Sequence, residues 1–480
     1  MTTTDRSRWI ALYVLCLATL MIVLDVTIVG VALPSIKDSL HFSQSGLAWV
    51  VNAYLLTYGG CLLLGGRLGD LYGHRRLFLA GLTVFTLASL LCGISTTTWM
   101  LIGARAVQGV GGAVTSAVSF GLVMTLFHEP HDRAKAMGVM GFVASGGGSL
   151  GVLLGGVITD VISWHWIFLV NVPIGVLVFV LSLRLLEGAP GFAVTRRLDI
   201  PGAVMVTAAL ILAVYAINTH PGGWGSTTTI GLIAGAVALL GAFVTWESRT
   251  ESPLIPLRLF LHRNLAVANV AGVLWAAAMF AWFFMSALYL QLVLGYSPLQ
   301  VGLAFLPGNL IMGALSISIS AKLVMKYGYR KPLAAGLLAA GLGLALFARA
   351  PVDGHFVVDV LPSMILLGFG AGMAFNPVLL AAMSDVEPSE SGLASGVVNT
   401  AFMMGGALGL AVLASLAASR TSSLRDSGSS ALEALNGGYH LAFLVGALFA
   451  VTAAAVGGIF LRPQAAAMEA HEAEPASEAA

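Results

Sequence analysis

At 480 residues the chain is long enough for roughly two to four soluble domains, yet 58% of it is hydrophobic, 9% is charged and its mean hydropathy is +0.93. A soluble domain carries about 25% charged residues, so there is too little charge to cover a water-facing surface, and lipid must be the solvent for most of the chain. A net charge of +1 lacks the basic footprint of a nucleic-acid binder, and Cys16, Cys61 and Cys92 lie in apolar runs that read as packing rather than disulfide or metal chemistry.

A membrane helix needs about 20 mostly apolar residues, and its backbone must hydrogen-bond within itself. Arg6 and Arg8 lead into an apolar run, as in a secretory signal. That run continues to about Pro34, past the roughly 7–15-residue core of a signal peptide, and contains Asp25. Residues 1–8 therefore read as an N-terminal segment before an uncleaved first span at 9–34. Further spans are expected at 47–66, 77–95, 98–126, 135–158 and 166–186, completing a six-helix half over 9–186. An insert over 187–264 holds spans at 200–218 and 229–246. A second half over 265–461 holds 265–292, 299–321, 332–349, 357–380, 392–417 and 439–461. Ser422 to Gly438 reads as a polar loop, and 462–480, rich in Ala and Glu, as a disordered tail. The pattern is that of an all-α polytopic membrane protein with fourteen spans. The alternating segments of a β-barrel are missing. If the N-terminus faces the cytoplasm, 18 lysines and arginines fall on that side against 4 opposite, with Arg105 inside a span. Positive residues collect on the cytoplasmic side, so both termini are expected there.

The chain also repeats itself. GGRLGDLYGHRRLFLAG from Gly65 aligns with SAKLVMKYGYRKPLAAG from Ser320, matching Tyr72, Gly73, Arg75 and Gly81 to Tyr327, Gly328, Arg330 and Gly336. AMGVMGFVASGGGSLG from Ala136 parallels ASGVVNTAFMMGGALG from Ala394 at nearly the same offset. Two parallel halves with a site between them are a transporter architecture.

Several separate motifs resemble the fourteen-span drug:proton antiporter branch of the major facilitator superfamily. They are LDVTIVGVALP from Leu24, GRLGDLYGHRR from Gly66, RAVQGVGGA from Arg105, and Gly138, Gly147, Gly151, Gly155 and Gly156 at antiporter-motif spacing. WHWIFLVNVPIG from Trp164 and LGYSPLQVGLAFLP from Leu294 extend the match. Val152 stands where that motif has proline, His165 where arginine is usual, and Met325 takes the place of Asp70 in the second half. The resemblance implies the major facilitator fold, two six-helix halves plus two inserted helices, in the plasma membrane. It further implies a proton-driven exporter of amphipathic drugs, antibiotics or toxic metabolites, a monomer that needs no cofactor beyond the proton gradient.

Asp25 and Arg105 are the two ionisable residues set clearly within spans. An intramembrane charge costs about 2.5–3.5 kcal/mol on insertion scales and so faces a cavity or a partner. At 1.5 Å per residue, Asp25 lies roughly 14 Å and Arg105 roughly 12 Å from the outer ends of their helices, so the two can meet. Arginine stays charged, which makes Asp25 the better proton carrier; a fixed ion pair tying two helices is the plainer alternative. Gln108 shares Arg105's face and could bond it or a substrate. Asn52, Asn309, Asn376 and Asn399 sit at membrane depth, either lining a cavity or satisfying a neighbouring helix. Trp275, Phe280, Trp282, Phe283, Phe284 and Tyr289 crowd one span, and their rings suit planar or cationic compounds or ordinary packing. Gly66, Asp70, Gly73, Arg75 and Arg76 suit a tight cytoplasmic turn. The resemblance makes that turn a gate latch, with Arg133 as a charge partner for Asp70; simple anchoring by the arginines is the alternative. Gly147, Gly151 and Gly155 form a small-residue stripe for close helix packing.

No lysine follows a glycine, so a phosphate-cradling P-loop does not occur, nor do HExxH or CxxC; Gly147 to Gly151 spells GxSxG, but inside an expected membrane span rather than at the strand-to-helix turn that chemistry needs. A membrane-embedded enzyme is thereby disfavoured. A proton symporter for uptake remains open on the same fold, and a channel is opposed by the two-halved architecture.

Overall fold

The computed structural model describes residues 5–43, 46–127, 129–186, 198–219, 223–387 and 390–462. The stretch 463–480, read above as a tail, and residues 187–197 of the insert lie outside these. Every regular element described is helical. The first half comprises α1 (Asp5–Leu40), α2 (Trp49–Tyr72), α3 (His74–Gly93), α4 (Thr98–Leu126), α5 (Pro130–Val161) and α6 (Trp166–Leu185). The insert gives α7 (Ile200–Thr219) and α8 (Thr227–Glu247). The second half comprises α9 (Arg263–Val293), α10 (Pro298–Ala314), α11 (Arg330–Phe347), α12 (Phe356–Met383), α13 (Ser391–Asp426) and α14 (Ala431–Phe460).

Among the described residues twelve helices are long and apolar enough to cross a membrane. Two shorter apolar stretches, Leu150–Val161 within α5 and Pro298–Ala314, occupy the other two places where spans were expected. At the end of α10 the helix widens into a π turn at Leu315–Ile319 and resumes as Ser320–Tyr327. The stretch from Ser422 to Gly438, expected to be a loop, is mostly helix. α13 runs to Asp426, and α14 begins behind a capping box made by Ser430 and Glu433. Its glycines act as packing residues, because Gly437 lies against Leu424 and Gly438 against the Ala417 carbonyl.

The same helix pairings recur in both halves. α1 packs on α5 and α6, α4 on α2 and α3, and α3 on α6; likewise α9 packs on α13 and α14, α12 on α10 and α11, and α11 on α14. The halves meet along α2–α13 and α5–α10, while α7 leans on both α2 and α13.

Matched residues make matched contacts. Gly73 and Gly328 both take positive φ, 92° and 70°, a conformation in which side-chain-bearing residues are strained. Arg75 donates from Nη2 to the Leu183 carbonyl in the last turn of α6, at 2.8 Å. Its counterpart Arg330 donates from Nε to the Gly458 carbonyl in the last turn of α14, at 3.1 Å. Each arginine thus caps the negative end of a helix. At the α3–α4 crossing a Cβ on Gly81 would stand 3.0 Å from the Gly111 carbonyl, and one on Gly111 2.8 Å from the Gly81 carbonyl. At the α11–α12 crossing the same reciprocal distances, for Gly336 and Gly370, are 3.0 and 2.7 Å. Backbone touches backbone at both places, so no methyl fits.

Substituting Gly111→Ala or Gly370→Ala is predicted to cost about 1–3 kcal/mol through overpacking, read as a lower unfolding temperature of the purified protein. Gly103→Ala, where nothing lies within 4 Å, serves as the control. Equal losses in all three variants would refute the close-crossing assignment.

Candidate functional site

α1 brings Asp25 to a point enclosed by α3, α4 and α6. Asp25 and Gln108 have no exposed surface, and Arg105 keeps 1%. Arg105 Nη1 meets Asp25 Oδ2 at 2.5 Å and also donates to Gln108 Oε1 at 2.7 Å. Gln108 Nε2 donates to Asp25 Oδ1 and to Ser89 Oγ, both at 2.7 Å. Asn171 Nδ2 donates to Asp25 Oδ1 at 3.0 Å. Arg105 is held from behind by its Nε bond to the Val50 carbonyl, at 3.0 Å. The rings of Tyr54 and Phe168 lie 4.4 and 5.6 Å from its guanidinium carbon, close enough for cation–π attraction. One carboxylate and one guanidinium therefore face each other, and the Gln108 and Asn171 amides add further hydrogen bonds to the pair.

Glycines deliver the helices to this point. Gly147 faces Leu20 and Val23; a Cβ on Gly151 would lie 3.1 Å from the Leu24 carbonyl, and one on Gly155 2.7 Å from the Ile28 carbonyl. The stripe thus seats α5 against α1 on both sides of Asp25. Gly156 reaches across to the second half, where its Cβ would meet the Pro298 carbonyl at 2.5 Å; Gly138 has nothing within 4 Å. α5 runs unbroken from Pro130 to Val161, consistent with Val152 keeping the backbone N–H that proline would remove.

The other expected site residues are scattered. Asn52 and Asn309 are buried, at 0% and 1% exposure, and their amides find no partner among the described residues. The indole N–H of buried Trp275 is likewise unpaired. Phe283 stacks on Phe305 of α10, with centroids 5.5 Å apart and planes 8° apart. Asn376 donates to the Ser316 carbonyl at 2.8 Å, and Asn399 to the Ser395 carbonyl of its own helix at 3.0 Å. Gly66, inside α2, has space around it, and Arg76, in the first turn of α3, is exposed. Asp70 lies 3.4 Å from His74 Nε2. Arg133, expected as its partner, is exposed and forms no ion pair with it among the described residues. His74 is nearer in sequence, and its ring is seated against Gly69 and Gly121.

Asn171, Ser89, Tyr54 and His74 escaped sequence reasoning. Asn171 carried a usable signal, being the lone amide in the apolar run WIFLVNVPIG. The other three looked like ordinary polar or aromatic helix residues.

A model of the Major Facilitator Superfamily matches residues 15–410. The puromycin resistance protein of Streptomyces alboniger is 38% identical, over 92% of this chain and 90% of that protein. The cephamycin export protein of Amycolatopsis lactamdurans is 41% identical, over 86% and 85%. The lincomycin resistance protein of Streptomyces lincolnensis is 38% identical, over 86% and 85%. In shape the chain resembles an autoinhibited POT-family peptide transporter, with TM-score 0.68, 15% identity and coverage of 94% and 96% of the two chains. A bacterial homologue of the human lysosomal transporter Spinster, in an inward-facing form, gives 0.65 at 15% identity, covering 96% and 98%.

Because Asn171 acts on the charged form of Asp25, Asn171→Ala and Asp25→Asn are predicted to be non-additive by at least about 0.5 kcal/mol in a double-mutant cycle on unfolding free energy. Strict additivity would mean that Asn171 serves only helix packing.

Proposed function

The chain belongs to the Major Facilitator Superfamily, and from that premise we propose that it exports amphipathic small molecules, antibiotics among them, in exchange for protons. It is a multi-pass membrane transporter of small molecules, not an enzyme. The reading adds that it works as a monomer in the plasma membrane with both termini cytoplasmic, all fourteen helical rods crossing, and no cofactor besides the proton gradient. The names of the three bacterial relatives, two resistance proteins and one export protein, favour efflux over uptake.

The observation that carries proton coupling is the closed circuit of Asp25, Arg105 and Gln108. A proton on Asp25 removes the only anion in that circuit and leaves Arg105 a buried cation. Losing one partner of a buried pair costs about 3–5 kcal/mol. A conformation that lets water or substrate reach Arg105 recovers part of that cost, so protonation shifts the balance between access states. Gln108 accepts from Arg105 and donates to Asp25, so it registers the change first. Val50 and Tyr54 keep the guanidinium in place throughout. Asn52, Trp275 and Asn309, whose buried polar atoms find no partner among the described residues, are the best-supported contacts for substrate. Phe283, packed on Phe305, supplies an aromatic wall, and the Asp70 turn acts as the cytoplasmic latch.

In proteoliposomes loaded with a fluorescent amphipathic dye, Asp25→Asn is expected to keep dye counterflow at equal pH. It should lose the acceleration given by an imposed pH gradient. A wild-type response to the gradient in Asp25→Asn sinks the coupling scheme.

A further inference from the structure

Two carboxyl groups far from Asp25 meet at one end of the inserted pair. Asp199 stands just before α7 and Glu247 closes α8; they keep 7% and 3% of their surface. Asp199 Oδ1 accepts from the Gly202 N–H at 2.9 Å and from Trp246 Nε1 at 2.7 Å. Its Oδ2 accepts from the Leu254 N–H at 3.3 Å. Glu247 Oε2 accepts from the Ile255 N–H at 3.2 Å, whereas the buried Oε1 has no donor. Asp199 Oδ2 and Glu247 Oε1 converge on Gly202, at 2.3 and 2.8 Å from the place a Cβ there would occupy. The missing side chain is what lets them approach.

Ionised carboxylates only accept hydrogen bonds, and two of them packed together out of water do not both stay charged. One proton turns the contact into a donor–acceptor bond. Among the described residues no cation is paired with either carboxyl. Glu251 lines the hollow beside Asp199 and Trp246, and Arg249 is exposed. Arg258 is turned to Glu390 at the start of α13. Arg196 and Arg197 lie outside the described residues. The one ionisable side chain of α7, Tyr215, is exposed and lies toward the other end of that helix.

We propose that Asp199 and Glu247 form a second proton-binding site, one proton held between two carboxyls, which fastens the inserted pair to the linker entering α9. The N–H groups of Leu254 and Ile255 in that linker donate to these carboxyls' oxygens. Since α7 leans on both halves, the occupancy of the site sets how firmly the seam between α2 and α13 is strapped. Raising the pH strips the shared proton, leaves two adjoining anions and loosens the linker.

The test uses the full-length protein in nanodiscs. Infrared spectra titrated from about pH 5 to about pH 9 are expected to show a protonated-carboxyl band persisting through neutrality. It should be lost in both Glu247→Gln and Asp199→Asn and kept in Asp25→Asn, which separates this site from the transport reading. Hydrogen exchange of the peptide holding Leu254 and Ile255 supplies an independent readout. On raising the pH, wild type should lose about tenfold more protection than Glu247→Gln, whose amide replaces the shared proton permanently. A band unchanged in both isosteric variants overturns the proposal. So does linker exchange following the same pH course in wild type and Glu247→Gln.

Discussion

A charge placed among apolar helices has to be answered within reach of its own side chain, and Asp25 is where this molecule meets that demand. Its two oxygens take donors from three side chains on two other helices, α4 and α6, so α1 has little freedom to rotate without breaking one. Arg105 is equally confined by a carbonyl of α2 and two aromatic faces. The glycine stripe of α5 follows from the same constraint, because α1 can be pressed into this position only if its other face meets a surface without side chains. Ion pair and glycine stripe are thus two sides of one placement, polar on the inside of α1 and close-packed on the outside.

Much of this was legible from the chain. The helical rods, the doubled halves and the meeting of Asp25 with Arg105 followed from run lengths, the internal repeat and helical rise, which depend on covalent geometry and solvent alone. What stayed hidden depended on neighbours distant in sequence. Asn171 reaches Asp25 from 146 positions away, and nothing local distinguishes it from Asn376, which serves a helix–helix bond. Arg133 was an attractive partner for Asp70 by charge and expected side, yet His74 sits one helical turn along, where a glycine-floored notch receives its ring. Gly437 and Gly438, in a stretch that read as a loop and is the start of α14, illustrate a different difficulty. Small residues signal loops in water, but between membrane helices they signal close contact.

The repeat also separates what the two halves share from what they do not. Positive-φ glycines, capping arginines and reciprocal glycine crossings are common property, and all act through the backbone. The side chains hung on that frame diverge. Where the first half has Asp70 and His74, the second has exposed Met325 and buried Tyr329. The Tyr329 hydroxyl gives its proton to the Arg462 carbonyl at 2.7 Å and accepts from Asn264 Nδ2 at 2.8 Å. Asn264 Nδ2 also reaches Asp385 Oδ1 at 3.1 Å and Ser384 Oγ at 2.9 Å. One turn carries an acid–imidazole pair; the other is laced to the ends of α9, α12 and α14.

The position of α7 makes the two seams between the halves unlike. That helix lies across α2 and α13 at one of the two seams, while among the described residues neither inserted helix packs on the opposite seam, along α5 and α10. The two seams are therefore closed by different means: one is backed by an inserted helix, and the other by direct apposition of α5 on α10, with Gly156 against the Pro298 carbonyl, Gly302 against the Val152 carbonyl and Ser297 Oγ 3.3 Å from Asp160 Oδ2.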